Sequence, residues 1–404
     1  MKLQHNAPEQ NAAAAAHGSD TRSGRDASPT QSTRRRLLTA LASGVGVAAA
    51  TSMVPGSLGA AAAHASNGSA KSPTVAAPAT AAGGARRMRP VLPARLEPGM
   101  TLGLLMPGSP VPEDEDIRAA VDRVRSLGFQ AKTGPNVGRR DQYLAGSDAE
   151  RAADLNSLIA DPEVDALFCI RGGYGSARIL PLIDYEAISA RPKVILGYSD
   201  ITAILNAVHV RTGLVTFHGP VAAANFTDYA WGEFRKVLMT PEAPVGIGAA
   251  PPFEGGPGVI DIDNRTTRIH GGRAEGRLVG GNLTLLAHLM GTPFEPDFAG
   301  AILFIEDVGE SPYRIDRMLS HLWLAGRLQQ VAGIVFGKFT QADADGNSFS
   351  VEHVLRDRCE PLGIPVLRGL MIGHVPDQTV VPIGIRAALD ADAGTLTLLE
   401  PAVK

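Results

Sequence analysis

Ser199 stands in the run Lys193-Val-Ile-Leu-Gly-Tyr-Ser-Asp-Ile-Thr-Ala-Ile-Leu-Asn206, where its type and position suit nucleophilic chemistry. Residues 194–196 read as a buried strand, Gly197-Tyr198-Ser199-Asp200 breaks it, and residues 201–210 read as a helix. A serine on a sharp strand-to-helix turn exposes its hydroxyl and has backbone N–H groups beside a helix N-terminus, which is what a serine nucleophile needs. Gly197, two residues earlier, permits the tight turn. The match to G-x-S-x-G is partial, because Ile201 fills the last glycine position. A Ser-Asp pair that opens a helix can also serve simply as its N-cap.

A serine is inert at its own pKa and needs a base, which in turn needs an acid. Candidates for both follow apolar runs. Residues 164–170 read as a strand ending in Arg171-Gly-Gly-Tyr-Gly175, whose glycines let backbone approach a ligand and aim N–H groups at an anion. Two consecutive strand ends would then present a Gly-rich turn and a serine turn side by side, where open α/β sheets bind ligands. Ala301-Ile-Leu-Phe-Ile-Glu-Asp-Val-Gly-Glu310 puts carboxylates at the end of a third strand, and Ile372-Gly-His-Val-Pro-Asp377 puts a histidine in a loop. The chain order is serine, acid, histidine.

Other residues have plainer readings. Glu310 is the rival to Glu306, but past Gly309 it faces the next helix or the substrate. Asp307 points to the opposite face of an extended segment. Asp200 reads as a helix N-terminal carboxylate favoured by the dipole. His218, before Gly219-Pro220, reads as a core or supporting residue, with substrate contact as the alternative. His209, His288 and His321 fall in helical patterns and read as structural. Tyr313, Arg314 and Asp316 read as orienting the helix after the Glu306 loop. The run Arg171 to Gly175 lacks both the G-x-G-x-x-G spacing and a Gly-Lys-Ser/Thr, which argues against a nucleotide phosphate loop.

The motifs together resemble the LD-carboxypeptidase family of serine peptidases, which includes muropeptide LD-carboxypeptidases and microcin C immunity peptidases. The matching pieces begin with Leu96-Glu-Pro-Gly-Met-Thr-Leu-Gly-Leu-Leu-Met-Pro-Gly-Ser109 and Tyr143-Leu-Ala-Gly-Ser-Asp148. They continue with Arg171-Gly-Gly-Tyr-Gly175, Gly197-Tyr-Ser-Asp200 and His218-Gly-Pro220. Glu275-Gly-Arg-Leu-Val-Gly-Gly-Asn-Leu-Thr284, Ile305-Glu-Asp-Val-Gly-Glu310 and Gly373-His374 complete the set, in family order. The resemblance implies Ser199 as nucleophile, Glu306 as acid and His374 as base, in a cleft between two domains. Backbone N–H groups of Asp200 and of Gly172 or Gly173 are the natural oxyanion donors. Substrate contacts are expected from Arg171, Tyr174 and Arg178, with Arg171 or Arg178 available for a terminal D-alanine carboxylate. The mechanism requires no metal or cofactor. A murein peptide is the expected substrate and a homodimer the expected assembly.

The fold class follows from the alternation of elements. Apolar runs and helical patterns alternate through residues 93–225, as in a parallel sheet with helices on both faces. Residues 226–274 carry Pro, Gly and Asp clusters with a weak strand or two and read as an interdomain segment. Residues 275–404 mix strands and helices. The expectation is an α/β protein: a parallel-sheet, Rossmann-like N-terminal domain, with a smaller, strand-rich mixed α/β second domain that the resemblance implies. A net charge of −3 over 404 residues makes nucleic acid an unexpected partner. The two cysteines, Cys169 and Cys359, have no metal or C-x-x-C spacing and read as buried apolar thiols.

Residues 1–65 read as a signal region. After a polar start, Ser32-Thr-Arg-Arg-Arg-Leu-Leu38 leads an apolar stretch, and Ala63-His-Ala65 offers a small-x-small cleavage site. The paired arginines resemble a twin-arginine signal. The apolar run is short, contains glycines and meets Pro55, so stable membrane insertion after cleavage is not expected. Residues 66–92 read as a flexible linker. Three functions remain: an exported carboxypeptidase on murein peptides, an amidase on a peptidyl-nucleotide antibiotic, and a silent binding module. The serine, acid and histidine set argues against the last, and export argues against the second, whose substrate acts in the cytoplasm. If the arginines are read by the twin-arginine receptor, replacing Arg34, Arg35 and Arg36 together by Lys leaves unprocessed protein in the cytoplasm, because guanidinium groups are read and not charge alone. Cell fractionation checks this; normal processing of the triple variant would point to a general secretory route.

Overall fold

The computed structural model describes residues 89–404. The expected signal region and residues 66–88 of the expected linker lie outside them. The end of that linker already docks, because Val91 bridges to Leu214 and its N–H donates to Gly213 O at 2.9 Å.

The first sheet contains β1 (Thr101–Leu105), β2 (Gln130–Thr133), β3 (Ala166–Cys169), β4 (Val194–Gly197) and β5 (Thr216–His218). These five run parallel in the order 2-1-3-4-5, a doubly wound arrangement. Between them lie α1 (Asp114–Ser126), α2 (Asp148–Ala160), α3 (Tyr185–Ala190) and α4 (Thr202–Thr212). β3 and β4 are buried throughout, as strands covered on both faces must be, and that is why they read as unbroken apolar runs. The helical-looking run after the Gly-rich turn forms a 3₁₀ turn, Ser176–Leu182, with Pro181 inside it. Proline lacks the N–H that a regular α-helix requires there.

The second half begins with α5 (Asp228–Leu238), β6 (Val245–Ile247), β7 (Thr267–His270) and β8 (Arg273–Asn282). It continues through α6 (Leu283–Leu289), β9 (Ile302–Val308), α7 (Pro312–Leu324), β10 (Gly333–Thr340) and α8 (Val351–Cys359). The last strands are β11 (Val366–Arg368), β12 (Val381–Ile383), β13 (Arg386–Asp390) and β14 (Thr395–Leu398). The second sheet has the order β6-β14-β13-β8-β9-β10-β11-β7, with β8 to β11 parallel at its centre. The segment 226–274 is more structured than its Pro and Gly clusters suggest. It supplies α5, whose N-cap Thr227 accepts from Ala230 N, and both edge strands of the second sheet. β12 crosses back to pair antiparallel with β5, Val381 opposite His218. The loop from β11 to β12 therefore runs from one sheet to the other.

The architecture is a parallel, Rossmann-like sheet domain joined to a strand-rich mixed α/β domain. Its main apolar core runs through both sheets. Alternation along β9 sends Ile302 and Phe304 into that shared core and Leu303 and Ile305 into a second core under α6, α7 and α8. α4 docks directly on β8: Asn206 Nδ2 donates to Gly280 O at 3.0 Å and Asn282 N to Thr202 Oγ1 at 3.0 Å. Gly281 makes this approach possible. It has φ +134°, and a Cβ there would sit 2.5 Å from the Thr202 side chain. Gly281→Ala should combine backbone strain with a clash and cost about 2 kcal/mol. A thermal midpoint equal to that of the unaltered protein would show that the contact can open without penalty.

Candidate active site

The serine turn is strained. Ser199 begins the 3₁₀ turn Ser199–Ile201 that leads into α4, and it has φ +62°, a conformation that costs a non-glycine residue about 1–2 kcal/mol. Neither this turn nor α4 starts with a side-chain cap, so capping does not account for the Ser-Asp pair. Asp200 is not a dipole partner of its own helix. Its buried carboxylate accepts from Ser176 N at 2.9 Å, and the Ser176 hydroxyl donates to the Asp200 carbonyl. Burial raises the Asp200 pKa, and the bonds from Ser176 oppose that rise.

These bonds clamp the serine turn to the Gly-rich turn after β3. A Cβ on Gly172 would stand 3.2 Å from Asp200 N, so two of the expected oxyanion donors share one place. Gly172 O accepts from Ser109 N at 2.9 Å, and the Ser109 hydroxyl accepts from Tyr174 N at 3.1 Å. Gly173 packs against the same serine. The sequence reading missed Arg151, which fastens this region. It is fully buried on α2 and donates to Gly175 O at 2.9 Å, to Gly146 O at 3.2 Å and to Pro107 O, while pairing with Asp148. A signal existed: Arg151 shares the apolar face of α2 with Leu155 and Leu158, where a cation needs a reason to be.

The acid and base come from the second sheet and the crossover loop. Glu306 lies on β9 with the parity of Ile302 and Phe304, so it faces the shared core and the first sheet. Its Oε2 is 2.7 Å from His374 Nδ1. The carboxylate is fully buried; burial raises its pKa, opposed chiefly by the bond to His374. Gly373, with φ +107°, admits this contact, because a Cβ there would stand 2.6 Å from Oε2. Asp307 turns the other way and accepts from Asn282 Nδ2 at 2.9 Å and Thr284 N at 3.0 Å, at the start of α6. Glu310 pairs with Arg314 at 3.6 Å. Tyr198, next to Ser199, lies on the His374 ring with centroids 4.7 Å apart, which joins the serine turn to the histidine loop. His218 is fully buried, so it makes no contact with a solvent-borne substrate.

The expected substrate residues divide by their partners. Arg178 forms a bidentate pair with Asp148 at 2.9 Å on both bonds and holds that carboxyl below its ordinary range. Arg171 donates to Pro110 O at 2.6 Å and, with Tyr198 and Val221, lines a cavity of about 390 Å³ beside the serine turn. Tyr174 is exposed and meets Tyr143 edge-on at 5.7 Å. His209, His288 and His321 lie on α4, α6 and α7. Among the described residues, no group of three or more His, Cys, Asp or Glu is placed to hold a metal. Burial pushes both cysteine thiols up, far from reactive thiolates.

A doubly wound sheet with a strained serine at a strand end, and a buried glutamate bonded to a partly exposed histidine on the crossover loop, is an arrangement of the kind α/β hydrolases use. Comparison with known proteins gives the family. The model for the LD-carboxypeptidase N-terminal domain matches residues 102–219, and that for the C-terminal domain matches residues 275–389. The chain belongs to the LD-carboxypeptidase family and is by that membership a peptidase. It is 38% identical over 313 residues to a protein of Bacillus subtilis named as a probable murein peptide carboxypeptidase, covering 76% of this chain and 93% of that protein. The solved structure of the microcin C7 self-immunity protein MccF, an inactive mutant without ligand, has TM-score 0.71 at 30% identity, over 78% of this chain and 100% of its own. The MccF sequence is that of Escherichia coli. Muramoyltetrapeptide carboxypeptidase from Oxalobacter formigenes has TM-score 0.64 at 30% identity, over 76% and 100%.

The raised pKa of Glu306 makes a stability prediction. A carboxyl whose folded pKa exceeds its unfolded one costs stability as pH rises through that window, because the folded state must release a proton it binds more tightly. Glu306→Gln should therefore raise the thermal midpoint at neutral pH, with the gain shrinking as the pH falls toward the ordinary carboxyl range. A Gln variant less stable than the unaltered protein at pH 7 would mean that the bond to His374 outweighs the burial cost.

Proposed function

We propose that this protein is an exported serine carboxypeptidase that releases the terminal D-alanine of murein tetrapeptides by hydrolysing the L,D bond. The observation that carries the reading is the Glu306–His374 bond of 2.7 Å, with Tyr198, next to the strained Ser199, tilted against the same imidazole. With Nδ1 engaged by Glu306, Nε2 of His374 is the atom that accepts the Ser199 proton as Oγ attacks the scissile carbonyl. The carbonyl oxygen becomes an oxyanion, held by the N–H groups of Asp200 and Gly172 or Gly173. The C–N bond then breaks, and His374 returns the proton to the leaving D-alanine amine. Water attacks the acyl-enzyme and gives a proton to His374, which passes it to Ser199 Oγ as the ester C–O bond breaks and the shortened peptide leaves. Glu306 remains ionised and stabilises the imidazolium at both stages. Arg171, which pairs with no carboxylate among the described residues, takes the terminal carboxylate in its cavity.

The likeness to MccF supports a second reading, cleavage of a peptidyl-nucleotide or acyl-amide bond. One assay separates the two: purified protein is offered murein tetrapeptide and, in parallel, an aminoacyl sulfamoyl adenosine. D-alanine release from the tetrapeptide, with no turnover of the nucleotide, is the expected outcome. Ser199→Ala should leave the fold intact and lower turnover by about four orders of magnitude. Near-normal D-alanine release by that variant would remove the serine mechanism.

A further inference from the structure

His218 lies on β5 between Gly197 of β4 and Val381 of β12, fully buried. Among the described residues neither of its ring nitrogens has a hydrogen-bond partner. Its Nε2 is 4.0 Å from Glu306 Oε1, the oxygen that His374 leaves unused and that also has no partner. Three buried polar atoms of these two residues are thus left unpaired, two of them facing each other. Each such atom costs about 1–3 kcal/mol, and native proteins tolerate them where they serve a purpose. The ring is held in place: Phe304 meets it edge-on at 5.4 Å and Tyr198 at 6.1 Å. Tyr198 therefore touches both histidines that face Glu306.

We propose that His218 is a positioning residue whose neutral imidazole directs Nε2–H at Glu306 Oε1, keeping Glu306 ionised and its Oε2 aimed at His374. A neutral imidazole carries one N–H and one lone pair, and the N–H is the side a carboxylate attracts. Burial pushes the His218 pKa down to about 3, with the nearby His374 a further cause, so the ring stays neutral while His374 cycles. Of the other groups around the contact, Asp307 points to the opposite face and accepts from Asn282 and Thr284, Asn282 lies beside Glu306 on β8 and its amide also favours the ionised carboxyl, and the Tyr198 phenol has its pKa raised by burial and by Glu306. The gap of 4.0 Å is about 1 Å longer than an N–H···O bond, and catalytic hydrogen bonds are often long in ligand-free enzymes and tighten in the complex.

The inference rests on Glu306 orienting His374, and the test separates the two. His218→Leu removes the donor and His218→Gln keeps one. His218→Leu should lower kcat/KM for D-alanine release about 10- to 100-fold, the scale of one hydrogen bond to a charged group. It should also move the acid limb of the pH profile to higher pH, because an ionised Glu306 without its donor lets the Glu306–His374 pair take up a proton more readily. His218→Gln should recover both toward the unaltered enzyme, and in a Glu306→Gln background His218→Leu should add little. A His218→Leu enzyme within about threefold of normal and with an unmoved limb overturns the proposal. Equal impairment by Leu and Gln with an unmoved limb overturns it too, since packing alone gives that result. Thermal melts accompany each variant; if His218→Leu does not fold, His218→Phe takes its place with the same outcomes. Full activity of Glu306→Gln alone would instead overturn the role of Glu306.

Discussion

A carboxylate removed from water is expensive to keep ionised unless a partner meets it, and Glu306 sets this condition for the whole interdomain region. The partner, His374, is on neither sheet. It sits in the loop that leaves β11 of the second sheet and returns as β12 of the first. The bond from Glu306 to His374 therefore ties one sheet's central strand to the loop that stitches both sheets together. Gly373 is shaped by the same requirement, since a side chain there would occupy the space of the carboxylate.

A second buried charge organises the opposite wall. Arg151 gathers the carbonyls of Pro107, Gly146 and Gly175, which belong to the turns after β1, before α2 and after β3. Asp200 then binds the last of these turns to the serine turn through Ser176. A guanidinium with several fixed donors can hold loops that have no apolar side chains of their own to pack. The Gly-rich turn is thus held in place without bulk, and its N–H groups at Tyr174 and Ser176 are spent on Ser109 and Asp200. Strain at Ser199 persists because these two networks over-determine the turn.

The placement agrees with the general behaviour of doubly wound sheets, in which ligands meet the carboxyl ends of strands near the point where strand order reverses. Here β1 pairs with both β2 and β3, and the turns after β1 and β3 touch through Ser109 and Gly172. Two solved relatives, MccF and a muramoyltetrapeptide carboxypeptidase, share this frame at similar identity.

The sequence by itself determined the elements with strong local signals. Alternating apolar runs and helical periods gave the parallel sheet, and the Gly-containing turns after β3 and β4 marked the two turns that pack together at the strand ends. Period-2 alternation along residues 301–307 separated Glu306 from Asp307, because neighbouring side chains of a strand must face opposite ways. Helix α5 was hidden by the Pro and Gly clusters that follow it, and the 3₁₀ turn Ser176–Leu182 by a run that looked helical apart from Pro181. What tertiary structure decided was partnership. That Arg178 is spent on Asp148, that Arg151 holds three turns, and that His218 faces Glu306 from another sheet depend on contacts between residues up to 88 positions apart (His218 and Glu306). Such pairings are set by how strands cross and stack, and no local period encodes them.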